Sequence, residues 1–158
     1  MAGRAPANST LSPLFYVFAA SQQAGTLVGM ALRGAPLQPA EYAMYSALRE
    51  LEPVSPTELA RHLGMPVTTA LDGIRAMVGS GHATRIDNPD DGRSYFLVLT
   101  RSGHRAHDET ARHFSRVDLR LGEHLGSKRA TVIRALADLL DAGDATLDEL
   151  RSEVAARR

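Results

Sequence analysis

The stretch that most constrains this chain is His82 to Gly103, two runs of strand length separated by a dense turn. The turn, Asn88-Pro89-Asp90-Asp91-Gly92, consists of residues that each bend a backbone for a different reason. Pro fixes φ, Asn and Asp bond back to the main chain, and Gly accepts a positive φ. The flanking runs are Ala83 to Ile86 and Tyr95 to Leu99, the second rich in aromatic and branched side chains, and together they predict a short β-hairpin. Arg93 follows the turn directly, where a solvated guanidinium reaches outward.

Upstream of the hairpin lie two short helical patterns. Ser55-Pro56-Thr57-Glu58 offers a cap, a Pro for the first helical position and an acid in the first turn, with Leu59, Ala60 and Leu63 following at helical spacing. Gly64 stops that helix after about two turns. A second helix, Val67 to about Val78, turns Ala70, Ile74 and Met77 inward and presents Thr68, Thr69, Leu71, Asp72 and Arg75 on the opposite face; Gly79-Ser80-Gly81 ends it. Helix, glycine-containing turn, helix and basic-tipped hairpin together predict a winged helix-turn-helix. The fold class is mainly α with a small β-hairpin wing.

The flanks predict further helices. Ser12-Pro13 starts one that runs to about Leu32 and is apolar on more than one side, with Phe15, Tyr16, Phe18, Leu27, Val28 and Met30. Such a helix buries itself against several partners, another subunit among them; the alternative is a central core helix of a monomer. The subunit reading is the one we carry forward, because a domain this small has little interior in which to hide it. Gly34-Ala35-Pro36 breaks the chain, and a second helix from Leu37-Gln38-Pro39 to about Leu51 carries Tyr42, Met44, Tyr45 and Leu48 as inner residues. After the hairpin a long helix runs from Ser102-Gly103 to about Leu125. Gly126 breaks it, Ser127 caps a further helix that Gly143 terminates, and Thr146-Leu147-Asp148-Glu149 has the form of a capping box opening a last short helix. The organisation expected is residues 1–36 as leader and N-terminal dimerisation helix, 37–103 as the winged helix-turn-helix lobe, and 104–158 as C-terminal dimerisation helices.

Composition narrows the function. At 158 residues the chain fits one compact domain. It holds no cysteine, which excludes a disulfide framework, a thiolate zinc site and a thiol redox switch. No apolar run approaches the roughly 20 residues of a membrane span. The first ten residues read as a flexible leader rather than a signal peptide, and a cytoplasmic location is expected. Net charge is zero, yet it is unevenly spread: residues 53–134 carry twelve basic and nine acidic side chains, and 135–158 carry six acids against three arginines. The basic surplus therefore falls where a phosphate backbone would be met. No nucleophile elbow, phosphate loop or dinucleotide fingerprint occurs, and the six histidines form no catalytic set, so neither an enzyme nor a cofactor is expected. His104, His107 and Asp108 stand at i, i+3, i+4, a spacing that could hold one metal ion or simply face solvent. A metal-responsive regulator and a winged helix used only for protein contacts stay open as alternatives.

Taken together, Leu59-Ala60-Arg61-His62-Leu63-Gly64, the helix from Val67, the run Asn88 to Arg93 and the ending Leu99-Thr100-Arg101-Ser102-Gly103 resemble the MarR (multiple antibiotic resistance regulator) family, whose wing reads Asp-Pro-x-Asp-x-Arg before a strand ending Leu-Thr-x-x-Gly. The likeness has motif detail over about residues 37 to 105 and extends to the outer helices by order and length. It implies a cytoplasmic homodimer on double-stranded DNA with a pseudo-palindromic operator, most often a repressor released by a small aromatic or phenolic effector. By this resemblance Arg93 enters the minor groove, Asp91 and Asn88 brace the wing, and Thr68, Thr69, Asp72 and Arg75 face the major groove. Tyr16, Tyr42, Met44, Tyr45 and His113 come from helices that wall the effector cavity in the family geometry. Arg61, Arg85, Arg101 and Arg105 suit phosphate contacts or solvated surface equally. Three departures stand out: Asn88 replaces the usual first Asp, Met65-Pro66 stands where many members have a capping Ser, and Gly73 sits inside the second helix at a cost of about 1 kcal/mol against Ala.

Overall fold

The computed structural model describes residues 11–89 and 94–157. Its elements in order are α1 (Pro13–Ala31), α2 (Pro39–Leu51), α3 (Pro56–His62), α4 (Val67–Gly79), β1 (Ala83–Asp87), β2 (Tyr95–Leu99), α5 (Arg101–Leu125), a single 3₁₀ turn (Gly126–Lys128) and α6 (Arg129–Ala156). By internal contacts the chain divides into two compact units, residues 1–117 and 118–158.

The first unit is built by its caps and its apolar stripes. Ser12 Oγ accepts from the Leu14 amide at 3.3 Å and starts α1. The Ser55–Glu58 box caps the start of α3 reciprocally: Ser55 Oγ accepts from the Glu58 amide at 3.3 Å, and Glu58 Oε2 accepts from the Ser55 amide at 3.2 Å. Ser55 Oγ also donates to Glu58 Oε2 at 2.7 Å, and this bond, then the one from the Ser55 amide, lowers the Glu58 carboxyl below its ordinary pKa. Leu48 of α2, Leu59 of α3, Ile74 of α4 and Leu97 of β2 are wholly enclosed, so four elements meet in one core. Truncating a residue such as Ile74 to Ala in a site of this kind costs about 2–5 kcal/mol.

The hairpin is antiparallel, with Ala83 opposite Leu99, Arg85 opposite Leu97 and Asp87 opposite Tyr95. Leu97 and Leu99 point into the core, as the period of two requires. Val54 adds a third short edge, exchanging both backbone bonds with Leu97 at 3.3 and 2.9 Å. Glu52 ties the same corner together: its Oε2 accepts from the Leu99 amide at 2.6 Å, and its Oε1 lies 3.2 Å from His104 Nε2. Gly103 explains the end of the Leu99–Gly103 motif. A Cβ there would stand 2.0 Å from the His82 carbonyl oxygen, so only glycine lets α5 start against the turn that follows α4.

In the second unit Gly126, at φ 52°, makes the turn into α6, and Arg129 Nη2 donates to Asp118 Oδ2 at 3.0 Å. Here the structure differs from the sequence expectation. Ser127 lies inside the 3₁₀ turn, and α6 starts at Arg129 without a side-chain cap. Neither Gly143 nor the Thr146–Glu149 box divides α6, which is continuous for 28 residues. Thr146 Oγ1 instead donates to the Ala142 carbonyl at 2.8 Å, within the helix. One interior glycine costs about 1 kcal/mol, whereas breaking and renucleating a helix forfeits a whole turn of bonds, so the glycine is absorbed.

Candidate nucleic-acid interface

The helix-turn-helix places α4 so that its two faces are sharply distinguished. Ala70, Ile74 and Met77 are buried, while Thr68, Asp72 and Arg75 are exposed on the other side and Thr69, also exposed, stands between the two faces. Arg75 donates to Asp72 one turn back, and both side chains are largely solvated, so the pair is worth at most about 1 kcal/mol and opens cheaply. Pro66 occupies the cap of α4 and makes no side-chain cap bond. An α-helix bearing two hydroxyls and a guanidinium on a free face has the width and chemistry to address base edges or phosphates.

At the wing, Asn88 Nδ2 donates to Ser94 Oγ at 2.8 Å and draws the two strand ends together. Arg93 and Asp91, assigned by resemblance to groove insertion and wing support, lie outside the described residues. Arg85 sits with its guanidinium carbon 4.5 Å from the centre of the Tyr95 ring, a cation–π contact that orients it on the hairpin. Arg61, Arg101 and Arg105 are exposed.

The five side chains expected around an effector separate. Met44 and Tyr45 are buried and line a cavity of about 370 Å³ between α2 and α4. Tyr42 turns instead toward α5, stacked on His107 with ring centres 5.2 Å apart and tilted against Phe114 at 5.5 Å. Tyr16 on α1 and His113 on α5 are half-buried and are not among the cavity's lining residues. The lining adds a residue that sequence reasoning missed: His82, whose Nδ1 lies 2.9 Å from the Tyr45 hydroxyl. Burial pushes the Tyr45 hydroxyl above its ordinary pKa, and the Glu41 carboxylate adds to the effect. Gly73 also lines the cavity. A Cβ there would fall 2.5 Å from the Met44 Sδ and Cε, the movable end of a flexible side chain that now rests on α4.

The His104, His107, Asp108 spacing is spent on bonds within the protein. His104 faces Glu52, and Arg49 donates to both Asp108 and His107 Nδ1, the latter at 3.0 Å. Ser46 Oγ donates to the Tyr42 carbonyl at 2.8 Å and lies 3.1 Å from His107 Nε2. An arginine only donates, so Nδ1 carries the lone pair and Nε2–H donates to Ser46, which fixes a neutral imidazole. Burial and then the Arg49 charge hold the His107 pKa below its ordinary value, while the bond from Arg49 holds Asp108 below the carboxylate range. Among the described residues no three His, Asp or Glu side chains are placed to share a metal ion. The Arg49 guanidinium occupies His107 Nδ1 and one oxygen of Asp108.

No family model matches the chain, and no curated protein does. Solved structures do match. The transcriptional repressor CouR, bound to a 23-mer DNA duplex, aligns at TM-score 0.71 with 24% identity over 81% of this chain and 92% of that one. The apo form of MarR from E. coli aligns at TM-score 0.66 with 17% identity over 84% of this chain and 98% of that one. A MarR mutant from E. coli, complexed with operator DNA, aligns at TM-score 0.67 with 18% identity over 81% and 93%. The fold is that of the MarR-type winged helix. At these identities the likeness carries the architecture alone, in which α3, α4 and the hairpin form a winged helix-turn-helix. Among the described residues no helix is long and apolar enough to cross a membrane.

Proposed function

We propose that the chain is a MarR-family transcriptional regulator that binds a pseudo-palindromic DNA operator as a cytoplasmic homodimer, and a repressor that a small aromatic or phenolic effector releases. The observation that carries this reading is α4, which buries Ala70, Ile74 and Met77 beneath an exposed face of Thr68, Thr69, Asp72 and Arg75 beside a hairpin wing. The solved regulators of the same fold include one bound to a DNA duplex and one complexed with operator DNA. Thr68, Thr69 and Arg75 address the major groove, Arg93 the minor groove, and Arg85 a phosphate.

Dimerisation rests on the helices outside the lobe. α1 and α6 bury none of their residues, although Phe15, Phe18 and Met30 on the first and Ile133, Leu136 and Leu140 on the second are large and exposed. A second copy of the chain is the simplest cover for both. In this division residues 1–36 and 104–158 dimerise and 37–103 read DNA. Selection of bound duplexes from a random pool tests the proposal. It should return an inverted repeat whose half-sites lie about one helical turn, or a multiple of it, apart; a pool that stays unenriched removes the regulator reading and leaves a winged helix used for protein contacts.

A further inference from the structure

The cavity between α2 and α4 has a chemistry of its own, and it favours one charge class of ligand. Its volume of about 370 Å³ lies in the range of small-molecule sites. Three thioethers, Met44, Met65 and Met77, line it, and methionine adapts to flat rings at little cost. Its polar groups include Glu41, Tyr45 and His82, and no arginine or lysine is among the lining residues. Glu41 Oε2 accepts one bond, from the Gln38 amide at 2.8 Å, and a carboxylate has room for several more donors.

We propose that this cavity is an effector site for an uncharged or cationic aromatic molecule, one that brings an O–H or N–H donor to Glu41, and that it rejects aromatic carboxylates. This deepens the ligand-responsive reading above and rests on it for its consequence, though not for its binding test. Glu41 is exposed at the mouth of the cavity, so an anionic ligand meets a solvated carboxylate with no arginine or lysine beside it, a repulsion that neutral and cationic ligands avoid. The link to DNA is direct, because Thr69 and Gly73 of α4 are part of the wall. A ligand seated against them bears on the helix that carries Thr68, Asp72 and Arg75.

The test compares three molecules that share one ring system, namely naphthylmethylamine, naphthol and naphthoate, titrated into the full chain without DNA and read by melting temperature and calorimetry. The amine and the naphthol should bind and saturate, and the naphthoate at least tenfold more weakly. Glu41→Gln should narrow the gap between the naphthoate and the other two, and Glu41→Lys should bring the naphthoate level with the amine or ahead. Ala76→Phe, at an exposed residue on the rim, should abolish binding of all three while circular dichroism stays unchanged. Tight naphthoate binding to the wild type, no binding of any of the three, or binding indifferent to both the Glu41 and the Ala76 variants would overturn the proposal. Recovery of an operator from the random pool by a chain that binds none of the three molecules would remove the cavity alone. Binding in the expected order by a chain that selects no DNA would uphold the cavity and remove the regulator reading.

Discussion

In the lobe from residue 37 to 103, Leu48, Leu59, Ile74 and Leu97 are wholly enclosed, while Phe18 on α1 and Leu140 on α6 are 63% and 72% exposed. The same kinds of apolar side chain thus meet opposite fates in two regions of one molecule. In the lobe, short helices and a hairpin cross over one another and each covers the next, so the core closes within a single chain. The outer helices are long, and a long helix in a small protein presents more apolar surface than its own chain can cover. The lesson is that the lobe closes its core by local close approach, whereas the outer helices leave large apolar side chains exposed.

Glycines break or sharpen this contrast most strongly. Gly103→Ala places a methyl group 2.0 Å from a backbone oxygen that cannot swing aside, and it should cost about 3 kcal/mol or more by chemical denaturation. An unchanged midpoint would mean that the start of α5 does not bear on the turn after α4. Second in size, the pair Phe18→Asp and Leu140→Asp should convert a dimer at micromolar concentration into a monomer with the lobe's spectrum retained. Equilibrium sedimentation decides this, and a wild type that is already monomeric would remove the argument from exposed surface. Arg75→Ala follows, at about 1–3 kcal/mol on the preferred operator and confined to one base pair per half-site. Asp72→Ala should act the other way, strengthening binding to all duplexes, because it removes a negative charge from the face that meets phosphate.

Acid should weaken the α2–α5 contact through His107. Its folded pKa is depressed by burial and by Arg49, so the stability it contributes is present above the unfolded value of about 6.5 and is lost as pH falls through the folded value. Protonation takes away the lone pair that accepts from Arg49 and sets two cations side by side, which Asp108, 3.7 Å from Nδ1, offsets only in part. The melting temperature of the wild type should therefore fall between pH 7.5 and 5 by more than that of His107→Gln; parallel curves would refute the assignment. Smallest of all is Gly143→Ala. With nothing within 4 Å of its Cβ and α6 helical on both sides, it should stabilise by about 0.5–1 kcal/mol, the reverse of Gly103.

Much of the lobe was legible because its signals are local. Ser55, Pro56 and Glu58 announce α3, the stripe of Ala70, Ile74 and Met77 announces α4, and five turn residues announce the hairpin. Features that depend on distant partners were not legible. Val54 becomes a strand edge only because Leu97 arrives beside it, and a single residue after a proline carries no periodicity. Gly73 looked like a defect in α4 until Met44, from another helix, was found on its surface. His82 stands between a helix and a strand with no local mark of function, and only tertiary packing brings it to Tyr45. In α6 the local signals were present and misled, since Gly143 and Thr146 resemble a stop and a start inside a helix long enough to override both.

The claim on which the rest depends is that α4 and the wing grip DNA in separable ways. The most direct measurement titrates wild type, Arg75→Ala and Arg93→Ala against the selected operator and its point variants at two salt concentrations. Arg93→Ala should weaken binding to every variant and lower the slope of log affinity against log salt by about one, as one fewer phosphate is neutralised or one minor-groove cation is lost. Arg75→Ala should leave most variants equal and relax the preference at a single base pair. If Arg93→Ala binds with unchanged affinity and slope, the hairpin is not a DNA-reading wing, and the account of this chain as a regulator of this kind is contradicted.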